Sequence, residues 1–298
     1  MTGMLIHPLL AVHISDGVLA PSWLLGGFVV AALLACFGAW KIRDEEIPRV
    51  AVLTSAFFVA SLVHVRVPPT SVHLILNGLM GVVLGRRAAL AIPVGLFLQA
   101  ALIGHGGFTS LGINSCVMVL PALLAWQLFG FLRLVPWATQ LWFRGGLVTI
   151  SALTWILSLV YVIALLWGEA SADSTASAGQ RAGAWTWPPL IVLGALVVAG
   201  LAAWIERRLE NAPEFPLGLL VGEITVLATV LLNSLVLAWG GVEDWRALAE
   251  WIFIAHLPIA VVEGVVLGFT IGFLARVKPE MLGSTKAEEV SCAVDAVQ

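Results

Sequence analysis

The sequence predicts an all-α, polytopic transmembrane helical bundle of about nine spans, and three observations carry that expectation. Of its 298 residues 60% are hydrophobic and 11% charged, with a mean hydropathy of +1.01, whereas soluble domains carry about 25% charged residues. Apolar runs recur at the roughly 17–25 residues that cross a bilayer as helix, without the alternation of barrel strands. Lys and Arg, finally, segregate to one side once these runs are threaded in order.

The runs place spans at about 22–40, 50–64, 71–85, 88–104, 114–132, 145–167, 188–205, 216–240 and 251–275. Trp23, Trp40, Trp167, Trp187, Trp204, Trp239 and Trp251 fall at span ends, where interfacial aromatics belong. With the N-terminus outside, the inner loops and tail hold Lys41, Arg43, Arg49, Arg86, Arg87, Arg133, Arg144, Arg207, Arg208, Arg276, Lys278 and Lys286. The outer side holds only Arg66, Arg181 and Arg246. The positive-inside bias therefore puts the N-terminus outside and the C-terminus in the cytoplasm. Residues 13–280 read as one membrane domain, with a flexible small-residue loop at 168–187 and a cytoplasmic tail at 281–298.

Composition also excludes. Residues 1–21 lack Lys and Arg, so the basic start of a signal peptide is missing. Cys36, Cys116 and Cys292 are scattered and form no C-x-x-C pair, which argues against a disulfide framework or a thiolate metal site. No basic, aromatic-interleaved patch suggests nucleic acid. No G-x-x-x-x-G-K-[ST] occurs, so the chain is expected not to hydrolyse ATP itself.

All six histidines fall in the outer half of this topology: His7, His13, His64, His73, His105 and His256. Imidazoles facing outward suit a borderline divalent cation taken from outside. In "VPPTSVHLILNG" (67–78), Pro68 and Pro69 stop one span, and Thr70 or Ser71 caps the next. His73 then sits in the first helical turn, with Asn77 one turn on and able to bond its ring. Such a His is either an interfacial packing residue or a ligand. Glu263 lies two turns after His256 on the last span, and Glu223 and Asn233 lie on the eighth; each is functional or a tie between helices. The stretch "GHGGFTSLGINS" (104–115), with His105 and Asn114, is either a tight outer loop or a lid over a cavity.

The blocks "HISDGVLAPSW", "TSVHLILNGLMGVVLG", "GHGGFTSLGIN" and "AHLPIAVVEG" together resemble the CbiM/NikM family, the substrate-binding membrane subunits of energy-coupling-factor (ECF) cobalt and nickel transporters. The family opens with Met-His-Ile-Pro-Asp-Gly. The resemblance implies a metal held by the terminal amine, the adjacent amide, the second-place His and the His of the Ser-x-His-Leu block. Here those histidines are His13 and His73. An all-nitrogen, roughly square set suits Ni²⁺, or Co²⁺ with compromise. The 104–114 loop would shape the pocket, while His256 and Glu263 would support it.

Two departures stand out. Ser15 replaces the family's Pro, before Asp16, and residues 1–12 extend the chain, so an amine at Met1 is no neighbour of His13. Three explanations compete. Val12 is encoded by a start codon and the true chain begins there; or a protease removes the extension; or the extension stays and other atoms, His7 among them, serve. The first is favoured because it restores the family opening. The family core also has about seven spans, so two extra helices are expected within 145–205.

The resemblance implies import of Co²⁺ or Ni²⁺ powered by partners: a CbiQ/NikQ-like coupling subunit, CbiO/NikO-like ATPases, and a small CbiN/NikN-like membrane subunit as an optional member. Ligation by neutral imidazoles releases protons, so affinity is expected to fall below about pH 6–6.5. The rival readings are an ATPase-independent secondary carrier, which would bury more carboxylates, and a membrane haem protein or metalloenzyme, against which stands the lack of H-E-x-x-H.

Overall fold

The computed structural model describes residues 13–62, 64–67, 70–136, 140–172 and 214–282. The extension with Val12 and His7, the prolines 68 and 69, the expected span 188–205, most of the 168–187 loop and the tail from 283 lie outside the described residues.

Eight α-helices form the described chain. These are α1 (Pro21–Ala39), α2 (Ile47–Ala60), α3 (Asn77–Leu84), α4 (Ala88–Ile103), α5 (Leu111–Leu132), α6 (Leu141–Ala172), α7 (Phe215–Gly240) and α8 (Arg246–Val277). Six helical stretches among the described residues are long and apolar enough to cross a membrane. Asn77–Ile103, one of the six, does not cross in a single pass. The Nε2 atoms of His73, ahead of it, and His105, beyond it, are 3.4 Å apart. The chain therefore descends along α3, turns through Gly85–Arg87 and climbs back along α4.

Two expected helices need correction. The 50–64 run ends as helix at Ala60, and 71–85 does not begin as helix. Between them an antiparallel hairpin pairs β1 (His64–Val67) with β2 (Thr70–His73), His64 standing opposite His73. β-Branched residues at 65, 67, 70 and 72 favour extended chain, and the Pro pair separating the strands disfavours the helical region before it. The hairpin packs on α8, with Val72 beside Ala255.

Small residues set the tightest helix contacts. On the antiparallel α7–α8 seam a Cβ on Gly222 would fall 2.6 Å from Gly264 Cα, and one on Gly218 would fall 2.7 Å from Gly268 Cα. A Cβ on Gly81 would overlap the Ala122 carbonyl, so α3 lies directly on α5.

The bundle has two chemically distinct ends. At one, Ala20 N donates to Gly240 O and Val242 N donates to Val18 O, which ties the segment before α1 to the α7–α8 loop. At the other, buried Arg87 donates to the carbonyls of Gly38, Trp40 and Lys41 at 2.7–2.8 Å and grips the Glu46 carboxylate at 2.8 Å. The Arg87 side-chain hydrogen bond, then the one from the Arg43 backbone N–H, hold the Glu46 carboxyl at about 2, well below its usual 4.5. A lowered folded value means that the pair's stabilisation is complete above about pH 4.5 and is lost as pH falls toward 2. Melting in detergent is therefore expected to drop between about pH 5 and 2.5, and Glu46→Gln to remove part of that drop. A pH profile identical in the variant would contradict the assignment.

Candidate metal centre

Three segments deliver three imidazoles to the end opposite Arg87. His13 comes from the strap before α1, His73 from the last position of β2, and His105 from the loop after α4. Their ligand-capable atoms all lie within 4.8 Å of one another, and the ring centroids are 4.7–5.2 Å apart. His13 and His73 are buried and His105 is half-buried.

The geometry fits ligation. Two nitrogens at about 2.0–2.1 Å from one ion stand about 2.9–3.4 Å apart for right-angled to tetrahedral arrangements, and the His73–His105 Nε2 pair is at 3.4 Å. His73 Nδ1 lies 2.9 Å from the Leu74 carbonyl. A carbonyl only accepts, so Nδ1 carries the proton and the Nε2 lone pair of neutral His73 faces the cluster.

Side-chain clamps hold the strap and loop together. Asn114, in the first turn of α5, accepts from Ile14 N at 2.9 Å through Oδ1 and donates to Ile14 O at 2.9 Å through Nδ2. Ser110 donates to the same carbonyl at 2.6 Å. Asp16 accepts from the amides of Phe108, Thr109 and Ser110 and from the hydroxyls of Thr109 and Ser110, at 2.6–3.2 Å. Partial burial pushes the Asp16 carboxyl up, but these hydrogen bonds outweigh it and keep the group below its usual range. Ser15 is half-buried between the two clamped residues.

Two glycines make the loop possible. Gly104, at φ +63°, closes α4 in the left-handed cap that lets His105 N bond the Gln99 carbonyl. A Cβ on Gly107 would sit 2.0 Å from Asp16 Oδ1. Gly107→Ala is therefore expected to push the loop off Asp16 and weaken metal binding about 10–100-fold, the cost usual for a supporting residue. Titration with Co²⁺ checks this, and unchanged affinity would contradict it.

The structure also places the other polar residues singled out in the sequence. Asn77 does not bond a histidine ring as the helical reading anticipated. It begins α3 and donates to Met118 O and to Thr229 Oγ1, because the hairpin displaces His73 from that helix. Glu263, fully enclosed on α8, accepts from the backbone N–H groups of Ile75 and Leu76 and so fixes the segment between His73 and α3. It serves the strained turn there, where Leu76 has φ +52°. His256 is buried on α8 with Nδ1 on the Ile252 carbonyl. Glu223 lies against Gly264 on the α7–α8 seam. The part of His105 in the cluster exceeds the loop role expected of it; its signals were its place among the outer histidines and its position between Gly104 and Gly106.

The model of the CbiM family, described as the cobalt uptake substrate-specific transmembrane region, matches residues 13–195 and 188–281. The chain belongs to the CbiM family. This CbiM-family chain is a multi-pass membrane protein of a transition-metal transport family rather than of an enzyme family. A putative metal transport protein of Haemophilus influenzae is 44% identical over 117 residues, 39% of this chain and 57% of that one, so this chain spans little more than half of it. A putative cobalt transport protein, CbiM 1 of Methanocorpusculum labreanum, is 28% identical over 292 residues, 93% of this chain and 96% of that one. A solved transition metal transporter shares the fold at a TM-score of 0.54 and 18% identity, over 89% of this chain and 93% of that structure.

Proposed function

We propose that this CbiM-family protein is the metal-binding membrane subunit of an ECF-type ABC importer, and that it takes up divalent cobalt or nickel from the outer face. The observation that carries the reading is the cluster of His13, His73 and His105, whose ligand atoms lie within 4.8 Å of one another. The three imidazoles ligate the cation as cargo, and Asp16, Asn114 and Glu263 keep their carriers in place. Neutral nitrogen donors suit Co²⁺ and Ni²⁺ better than the hard cations Mg²⁺ and Ca²⁺.

The lysines and arginines near Arg87 face the cytoplasm under the positive-inside rule, which turns the histidine end and the N-terminus outward. A transmembrane coupling subunit and ATPase subunits supply the energy. If the mature chain begins at codon 12, its amine and the His13 amide join the imidazoles, and intact-mass measurement of the purified protein reads that start directly.

Reconstitution tests the reading. Co²⁺ or Ni²⁺ uptake into proteoliposomes is expected only when the coupling and ATPase subunits and ATP are present. Uptake by this chain alone, driven by an ion gradient, would favour a secondary carrier instead.

A further inference from the structure

Two of the three clustered histidines are shut in. His13 and His73 each keep only 2% of their surface exposed, so a cation reaches the space between them only when one of the segments that carry them moves. Those segments are held very differently. His73 is fixed from several sides: β2 pairs with β1, the hairpin packs on α8, and Glu263 grips the N–H groups of Ile75 and Leu76 just after it. His105 lies in a loop anchored at both ends, by α4 and by α5.

The strap that carries His13 is built in two halves. Its second half is tied to the α7–α8 loop through the main chain: Val242 N donates to Val18 O, Ala20 N donates to Gly240 O, and Leu19 bridges to Gly241. Its first half, residues 13–16, is held through side chains. The Asn114 amide and the Ser110 hydroxyl bond the main chain of Ile14, while Asp16, itself exposed, accepts from the Phe108, Thr109 and Ser110 amides. Between the halves stands Gly17, exposed and at φ +84°, with no atom within 4 Å of where a Cβ would stand. Glycine alone takes and leaves that conformation at little cost, and nothing packed there resists a turn. The Ile14 side chain, buried in the core, weights the closed position.

We propose that residues 13–16 are the gate of the metal site, turning about Gly17, with the bonds of Asp16 and Ile14 to the 108–114 segment as the latch. The inference rests on the three-histidine reading of the site and adds how that site loads. Four residues reach at most about 14 Å, so a turn at Gly17 lifts His13 away from the other two rings. Glu263 meanwhile keeps the His73 segment in place. The cation meets His73 and His105 first and His13 last, and the latch then closes over it. Release of the latch, rather than exchange at His73, sets the rate of entry and exit.

Stopped-flow mixing of the purified full-length protein with Co²⁺, read by visible absorption, measures entry; mixing the loaded protein with excess EDTA measures exit. Asp16→Asn keeps the shape of the latch and removes its charge, and both rates are expected to rise about tenfold. The opposite test ties the gate shut. Asp16→Cys with Thr109→Cys replaces side chains whose oxygens are 2.6 Å apart, in a chain with Cys36→Ser and Cys292→Ser. Once the pair is oxidised or joined by a short bifunctional thiol reagent, with intact mass confirming the link, both rates are expected to fall at least about tenfold below those of the same unlinked protein. Equal rates with and without the link overturn the gate. So does an Asp16→Asn variant that speeds exit alone, because a residue that only supports the bound state leaves entry unchanged. Undiminished Co²⁺ affinity in His13→Ala would overturn the three-histidine reading, whereas His13-dependent binding with latch-independent rates overturns the gate alone.

Discussion

His73→Ala is expected to cause the largest loss of metal binding of any single change, beyond the roughly 10–100-fold that a supporting residue costs. Three features single it out. It is buried, its tautomer is fixed by the Leu74 carbonyl, and its Nε2 lies 3.4 Å from that of His105. The backbone after it is held from across the bundle by Glu263, so the ring is aimed before the cation arrives. His105→Ala removes a half-buried ring from a loop and is expected to cost less, because the other two nitrogens keep their supports. Calorimetric titration with Ni²⁺ and Co²⁺ ranks the two, and undiminished affinity in His73→Ala would remove the basis of the site.

Glu263→Ala is expected to be the most damaging change that touches no ligand. The carboxylate accepts the N–H groups of Ile75 and Leu76 where α3 begins, a place where a helix N-terminus favours negative charge. Removing it leaves two buried donors without their acceptor, at about 1–3 kcal/mol each, and frees the left-handed turn at Leu76. A lowered melting temperature in detergent should accompany a drop in metal affinity of about 10–100-fold. Full stability in Glu263→Ala would mean that the two N–H groups find other acceptors. Lowered stability with unchanged affinity would mean that the segment does not aim His73.

The long helices were legible because bilayer length and hydropathy dictate them: the expected 22–40, 88–104 and 216–240 runs agree within a residue or two with α1, α4 and α7. The hairpin was not, because a hydropathy run cannot distinguish a buried strand from a buried helix segment. The β-branched residues around Pro68 and Pro69 were the available sign. His13 and His73 were legible through their blocks, whereas the closeness of His105 depends on the α3–α4 reversal, which brings residues 32 apart in sequence to 3.4 Å. Glu263 stood out as a carboxylate in a membrane helix, yet its partners lie 187 and 188 residues away on the backbone. Asp16 was singled out within its block, but its partners were not legible for the same reason: they are loop amides more than 90 residues on.

X-ray absorption at the metal edge of the Co²⁺- or Ni²⁺-loaded protein tests the central claim most directly. A first shell of nitrogen donors is expected, with outer-shell scattering from three imidazoles at about 2.0–2.1 Å metal–nitrogen distance, falling by one imidazole in each of His13→Ala, His73→Ala and His105→Ala. A spectrum dominated by oxygen donors, or one unchanged by all three substitutions, would contradict it.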